Sequence, residues 1–364
     1  MVELSPFPYQ GPLEPEGVAG RFDLQRDLRH RLEQRRLTAL LGPRRYGKTS
    51  ILRRVTSDMA ADGFETVWID LYELSSMADL AGALDRGLAQ TQGKLRRAVE
   101  GVAGSLSLKL GLLGVELSKS ARDRPDPVLK VRSMVQLLVT VAQKRNLIVV
   151  LDEFSGIADV PKAAGVLRTE LQHHYRDLGI VFAGSQPSTM TMLFADRAQP
   201  FFSQAELLDI PPLTIEEVTD LVHDGFRRTG RDAGPIAPLL AAAAEGHPQR
   251  AMQLADACWS RVRKGSTASE DTWIAAQADV RRSVEDASER FFTLFPTGHQ
   301  KVLRIVAGGG SVFGTAASSM SLAPGTAQAA VAALLGSADL ARREEQLVVV
   351  DPLFADWIRR RFPV

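Results

Sequence analysis

Cysteine is nearly absent: 364 residues carry one, Cys258. An internal disulfide is therefore excluded, and the apolar helical run Ala251 to Trp259 around it marks Cys258 as core, not as a nucleophile. Long apolar stretches are missing too, since none approaches the roughly 18 residues that a membrane-spanning helix needs. Neither sign of charge dominates: 44 Lys and Arg stand against 43 Asp and Glu, a formal net charge of +1. Bulk electrostatics thus call for neither nucleic acid nor an anionic membrane, and any such partner has to be argued from local patches. The first twenty residues are rich in Pro, Gly and Glu and lack the basic start and apolar segment of a signal peptide. The expected location is cytoplasmic.

What the chain does have is a hydrophobic fraction of 45%, ample for globular folding, and a length that suits two or three domains. Its most informative stretch is Leu37-Thr-Ala-Leu-Leu-Gly42-Pro43-Arg44-Arg45-Tyr46-Gly47-Lys48-Thr49-Ser50. This run fits G-x-x-x-x-G-K-[ST], the phosphate-binding loop, between an apolar strand and a helix from Ser50 to Ala60. Backbone N–H groups of such a loop and the positive end of the following helix face one point, where a triphosphate satisfies both. Lys48 is placed to reach the β- and γ-phosphates, and the Thr49 hydroxyl to join a Mg²⁺ shell. ATP and Mg²⁺ are the expected cofactors.

Further strands are expected at Glu65 to Leu71, Asn146 to Glu153, Asp177 to Ser185 and Leu207 to Ile210, alternating with helices. One helical region is expected from Met77 to about Val102. That alternation argues an α/β fold, a doubly wound parallel sheet with its ligand at the carboxyl ends of the strands. The Leu147 to Leu151 strand ends in Asp152 and Glu153: Asp152 suits the Mg²⁺ shell beside Thr49, and Glu153 the activation of a water for in-line attack. Ser185, ending the next strand, either bonds the γ-phosphate or attacking water or caps the turn before Pro187. Ser105 to Ser118 alternates apolar and polar residues around Gly111-Leu-Leu-Gly114, the pattern of a β-hairpin standing off the core. Beyond Pro211-Pro212 the sequence turns helical, with Thr214 as an N-cap ahead of Glu216 and Glu217. The last block reads helix (Gln300 to Ala307), helix (Thr315 to Ser321), helix (Gly325 to Leu335) and strand (Leu347 to Val350), the order of a winged helix. The expected divisions are a leader (1–20), a core (21–212), a helical lid (213–284) and a winged-helix domain (285–364).

These residues resemble the archaeal-type P-loop ATPases of the STAND class, relatives of the AAA+ proteins. The likeness rests on Gly20-Arg21, the Gly42 to Ser50 loop, the Asp152-Glu153 strand end, Gly184-Ser185, Pro211-Pro212-Leu213, Gly246-His247-Pro248 and the C-terminal winged helix. It implies that Gly246 to Pro248 sits where lid meets nucleotide, with His247 or Arg250 sensing phosphate; the alternative is that Pro248 starts a helix and His247 lies on the surface. Such proteins often carry Gly-Arg before the fifth strand, where this chain has Ser203-Gln204. Arg197 is the candidate for an arginine finger donated to a neighbouring subunit.

The resemblance implies an ATPase, slow or partner-stimulated, acting as a switch on a protein partner or through self-association. The alternatives are a DNA-acting ATPase that reads DNA with its winged helix, and a nucleotide-binding scaffold without turnover. The intact Asp152-Glu153 pair argues against the scaffold. The would-be recognition helix, Pro324 to Leu335, has no Lys or Arg, so DNA is the less favoured partner; base and phosphate contacts come chiefly from those residues.

Overall fold

The structure, a computed structural model, describes residues 3–105 and 126–363. The expected hairpin falls, beyond Ser105, outside the described residues. Strands β1 (Thr38–Leu41), β2 (Glu65–Asp70), β3 (Leu147–Asp152), β4 (Gly179–Gly184) and β5 (Glu206–Asp209) pair in parallel in the order β2-β3-β4-β1-β5. Central β1, β3 and β4 are buried at every position, which is why they read as unbroken apolar runs. Helices Met77–Ala89 and Pro127–Ala142 cover one face with an apolar cluster around Val67, Leu84, Leu138 and Phe182. Phe22–Glu33 and Lys48–Ala61 cover the other with Leu28, Leu40, Leu52 and Val150.

The topology brings three strand ends together. β4 lies between β1, which feeds the phosphate loop, and β3, which ends in the acids. Ser185 therefore emerges between Lys48 and Glu153, though the three are far apart in sequence. Beneath them Phe154, Phe182, Phe194 and Phe201 pack ring to ring, with Phe154 and Phe182 centroids 4.6 Å apart. Burying Phe154 directly after the strand turns the chain at Glu153 into the left-handed region, φ +52°. Such a conformation costs a non-glycine residue of the order of 1 kcal/mol and is held by its surroundings.

Helices Ile215–Arg228, Ile236–Ala244 and Pro248–Trp259 follow the sheet. Thr214 caps the first with a full capping box, its hydroxyl accepting from Glu217 N–H. Their apolar faces enclose a second cluster around Val222, Phe226, Leu240 and Leu254. Helix Glu270–Leu294 then runs unbroken from Trp273 and Val280 in that cluster to Phe292 in a third. The boundary expected near residue 284 falls inside it. The third cluster joins Thr297–Ala307, Thr315–Ser319 and Pro324–Gly336 to the antiparallel hairpin β6 (Leu340–Arg343) and β7 (Gln346–Val349) and to helix Pro352–Arg361. That is one strand and one helix more than the sequence announced. The helical region expected from Met77 to about Val102 holds two helices, Met77–Ala89 and Gly93–Ser105, separated where Gly93 takes φ +59°.

Candidate nucleotide site

β1 enters the loop at Gly42, where a Cβ would lie 1.9 Å from the Ile210 side chain, so the strand pairing excludes any larger residue. Gly47, at φ +85°, turns the loop into helix Lys48–Ala61. Lys48 Nζ donates to the carbonyl oxygens of Gly42 and Pro43 at 2.8 and 2.9 Å, closing the loop round its own cation. Burial pushes the Lys48 ammonium down to about 8, against the pull of the Glu153 and Asp152 carboxylates. An ammonium held dry beside two carboxylates is ready for a phosphate.

The carboxylates are already engaged. Thr49 Oγ1 donates to Asp152 Oδ2 at 2.9 Å, and Ser185 Oγ donates to Glu153 Oε2 at 2.6 Å. Burial raises the Asp152 carboxyl above its ordinary range, while the bond from Thr49 works the other way. The Thr49 and Asp152 oxygens, side by side, form the hard donor set that Mg²⁺ prefers. Glu153 lines an adjoining cavity of about 580 Å³, together with Arg21, Arg44, Arg45, Gly47, Lys48, Thr49 and Ser50. That volume suits a nucleotide.

Arg21, left-handed at φ +53°, is buried to 7% exposure and donates through Nη1 to Tyr46 O at 2.7 Å. Its backbone N–H donates to Glu217 Oε1 of helix Ile215–Arg228. Its Nε and Nη2 have no partner, although the side chain lines the cavity. Burial lowers Arg21 to about 10, so it is still a cation at neutral pH. A buried cation with two unused donors is a fit for an anionic group.

Three expected residues turn out differently. Tyr46 is in the loop but buries its ring behind it, where Arg343 Nη2 of β6 donates to its Oη at 3.2 Å and His247 packs edge-on at 5.0 Å. His247 is neither on the surface nor among the residues lining the cavity: it caps helix Pro248–Trp259 and is 3% exposed, with burial lowering its imidazole to about 4. Arg250 is bound by Asp351 instead of lining the cavity. Pro248 does line it. Arg197 is exposed in the turn after helix Pro187–Ala195.

Sequence reading missed the leader altogether. Pro8 to Leu13, with Val18 and Ala19, forms one wall of the cavity. Leu13 N–H donates to Ser50 Oγ at 3.0 Å, so the Ser50 hydroxyl is committed to the leader. Phe7, 1% exposed, enters the second apolar cluster against Phe226 in a space opened by Gly225, where a Cβ would lie 2.2 Å from the Phe7 ring. Only the apolar spacing of Phe7, Tyr9 and Leu13 hinted at this.

A parallel sheet in this order, with the loop after β1 and the acids after β3, decides the fold. It is that of the P-loop NTPases. Solved structures share it over nearly the full chain. The Walker-type ATPase PABY2304 of Pyrococcus abyssi superposes with a TM-score of 0.73 at 17% identity, covering 97% of this chain and 99% of that one. The Aeropyrum pernix ORC2 protein gives 0.60 at 14%, covering 98% of each. Thermotoga maritima RuvB gives 0.51 at 14%, covering 98% of this chain and all of its own. At such identities the likeness is one of P-loop NTPase fold. No protein-family model matches the chain, and no curated protein matches it in sequence. Among the described residues no helix is long and apolar enough to cross a membrane.

Proposed function

We propose that this protein is a Mg²⁺-dependent ATP-hydrolysing switch of the STAND and AAA+ type. The observation that carries the reading is that one loop serves two purposes. Lys48 and Thr49 line the cavity, while Tyr46, two residues earlier, touches His247 of the lid and Arg343 of the wing. A change in what the loop holds is therefore felt directly by both.

In this reading Lys48 and the loop N–H groups bind the β- and γ-phosphates, and Arg21 completes the cradle. Thr49 and Asp152 would hold Mg²⁺, which when bound neutralises charge on the phosphate oxygens. The Glu153 carboxylate accepts a proton from the attacking water. The Ser185 hydroxyl, donated to Glu153, orients that carboxylate or turns to the γ-phosphate. After hydrolysis Tyr46 passes the change to lid and wing, and the moving surface engages a protein partner or a second copy.

One of the similar structures is described as the Aeropyrum pernix ORC1 protein in complex with DNA, at 14% identity and a TM-score of 0.52. DNA is not adopted as this chain's partner, because helix Pro324–Gly336 carries no cationic residue and its C-terminal Gly336 carbonyl accepts from Ser188 of the core at 2.7 Å.

The test is a distance measurement between labels on the core and on helix Pro352–Arg361, in ATP and in ADP, with the Glu153→Gln protein trapping the ATP state. Nucleotide binding without any change of distance would leave an ATPase but remove the switch.

A further inference from the structure

The cavity is lined by the phosphate loop with Lys48, and also by the leader and the first turn of helix Pro248–Trp259. Gln249 stands half-buried on the cavity wall. Its Nε2 donates to the Tyr9 carbonyl oxygen at 3.0 Å. A carbonyl oxygen only accepts, so this bond fixes which end of the amide is nitrogen and which oxygen. The other end, Oε1, is buried and has no hydrogen-bond partner. A buried amide oxygen without a donor costs roughly 1–3 kcal/mol, and the bond to Tyr9 keeps the amide in this orientation.

We infer that Gln249 is the base-reading residue of the site, its Oε1 accepting from the exocyclic amine of adenine. This rests on the nucleotide reading above and adds the discrimination between bases. Pro8, Pro12, Leu13, Leu221 and Met252 supply apolar walls for a flat ring. A purine with an amine at C6 gives the orphaned oxygen its donor. A purine with a carbonyl there, guanine or hypoxanthine, sets oxygen against oxygen, and the Tyr9 bond prevents the amide from turning round to present its nitrogen. A pocket built around one hydrogen bond rejects the analogue that cannot make it, because the buried group is then left unpaired. The leader thereby gains a chemical role, since Tyr9 orients the amide that reads the base.

Nucleoside diphosphates provide the test, because they bind without turnover. Dissociation constants for ADP, IDP, GDP and the diphosphate of 6-unsubstituted purine riboside are measured by calorimetry on the full chain, wild type and Gln249→Leu. The expected result is ADP tighter than IDP and GDP by about tenfold or more, with the unsubstituted purine in between. In Gln249→Leu the gap shrinks to about threefold or less, mainly through weaker ADP binding. The wild-type series tests the orphaned acceptor even where the leucine variant folds poorly. Equal binding of all four, or a full gap in Gln249→Leu, overturns the inference and leaves a nucleotide site standing. Binding of none removes the nucleotide site itself, and the inference with it.

Discussion

Arg250 Nε donates to Asp351 Oδ1 and Oδ2 at 3.0 and 3.1 Å, and Nη2 adds a third contact to Oδ2, so that a lid helix and the last helix of the chain are pinned together. Asp351 also accepts from the N–H groups of Leu353 and Phe354, capping the helix that it begins. Burial pushes its carboxyl up, but the bonds and charge of Arg250 outweigh that and hold it below the usual range. Asp351→Ala therefore strands a mostly buried guanidinium and uncaps a helix, and it should cost about 2–4 kcal/mol. Urea unfolding of Asp351→Ala, Arg250→Ala and the double variant checks this, and the double should cost clearly less than the sum. Strict additivity would show that the pair is not coupled.

Lys48→Ala should abolish nucleotide binding, because the loop loses its own buried cation and the carbonyls of Gly42 and Pro43 face inward unpaired. Glu153→Gln should bind ATP normally and lose hydrolysis by about a hundredfold or more, the usual scale for a positioned base. Thermal shift and phosphate release on both proteins decide it. Turnover at the wild-type rate in Glu153→Gln would end that assignment.

Phe7→Ala should destabilise the protein by about 3–5 kcal/mol, the range for truncating a fully buried phenylalanine. Because the cavity wall hangs on that anchor, nucleotide affinity should fall as well. Tyr9→Phe, whose backbone carbonyl still receives Gln249, should leave affinity nearly unchanged. A Phe7→Ala protein of wild-type stability would mean that the leader only rests on the lid.

His247 supplies a pH dependence. Its imidazole titrates near 6.5 when unfolded and at about 4 when buried, so between those values the unfolded chain binds the extra proton. Stability from this group is complete above about pH 6.5 and drains away as pH falls toward 4, to a total of about 3 kcal/mol. Denaturation midpoints at pH 7 and pH 5 should differ in wild type and much less in His247→Asn, which keeps a capping side chain. An unchanged slope in the variant would place the acid sensitivity elsewhere.

The phosphate end of the site was open to reading because it is local. Gly42, Gly47, Lys48 and Thr49 do their work within one turn of chain, and an unbroken apolar strand points at Asp152 and Glu153. The base end was closed to reading, since Phe7 meets Phe226, and Tyr9 meets Gln249, across more than two hundred positions, and a Pro-rich leader has no period to betray a buried face. Helix Glu270–Leu294 escaped notice because it buries only scattered residues such as Trp273, Val280 and Phe292 among charged ones. Strand Leu340–Arg343 fully buries Leu340 alone, too little for a pattern. Tyr46 was recognised as a loop residue, but which way its ring points depends on His247 and Arg343, both remote in sequence.

The leader is also a leash. Phe7 is seated in the lid and Leu13 is fastened to Ser50 at the nucleotide loop; the chain between those two points spans at most about 20 Å fully drawn out. While both fastenings hold, helix Ile215–Arg228 and the nucleotide loop stay within that span of each other. Drawing the two anchor points further apart would first break the single Leu13–Ser50 hydrogen bond, the weaker of the two fastenings, while Phe7 stays seated beside Phe226.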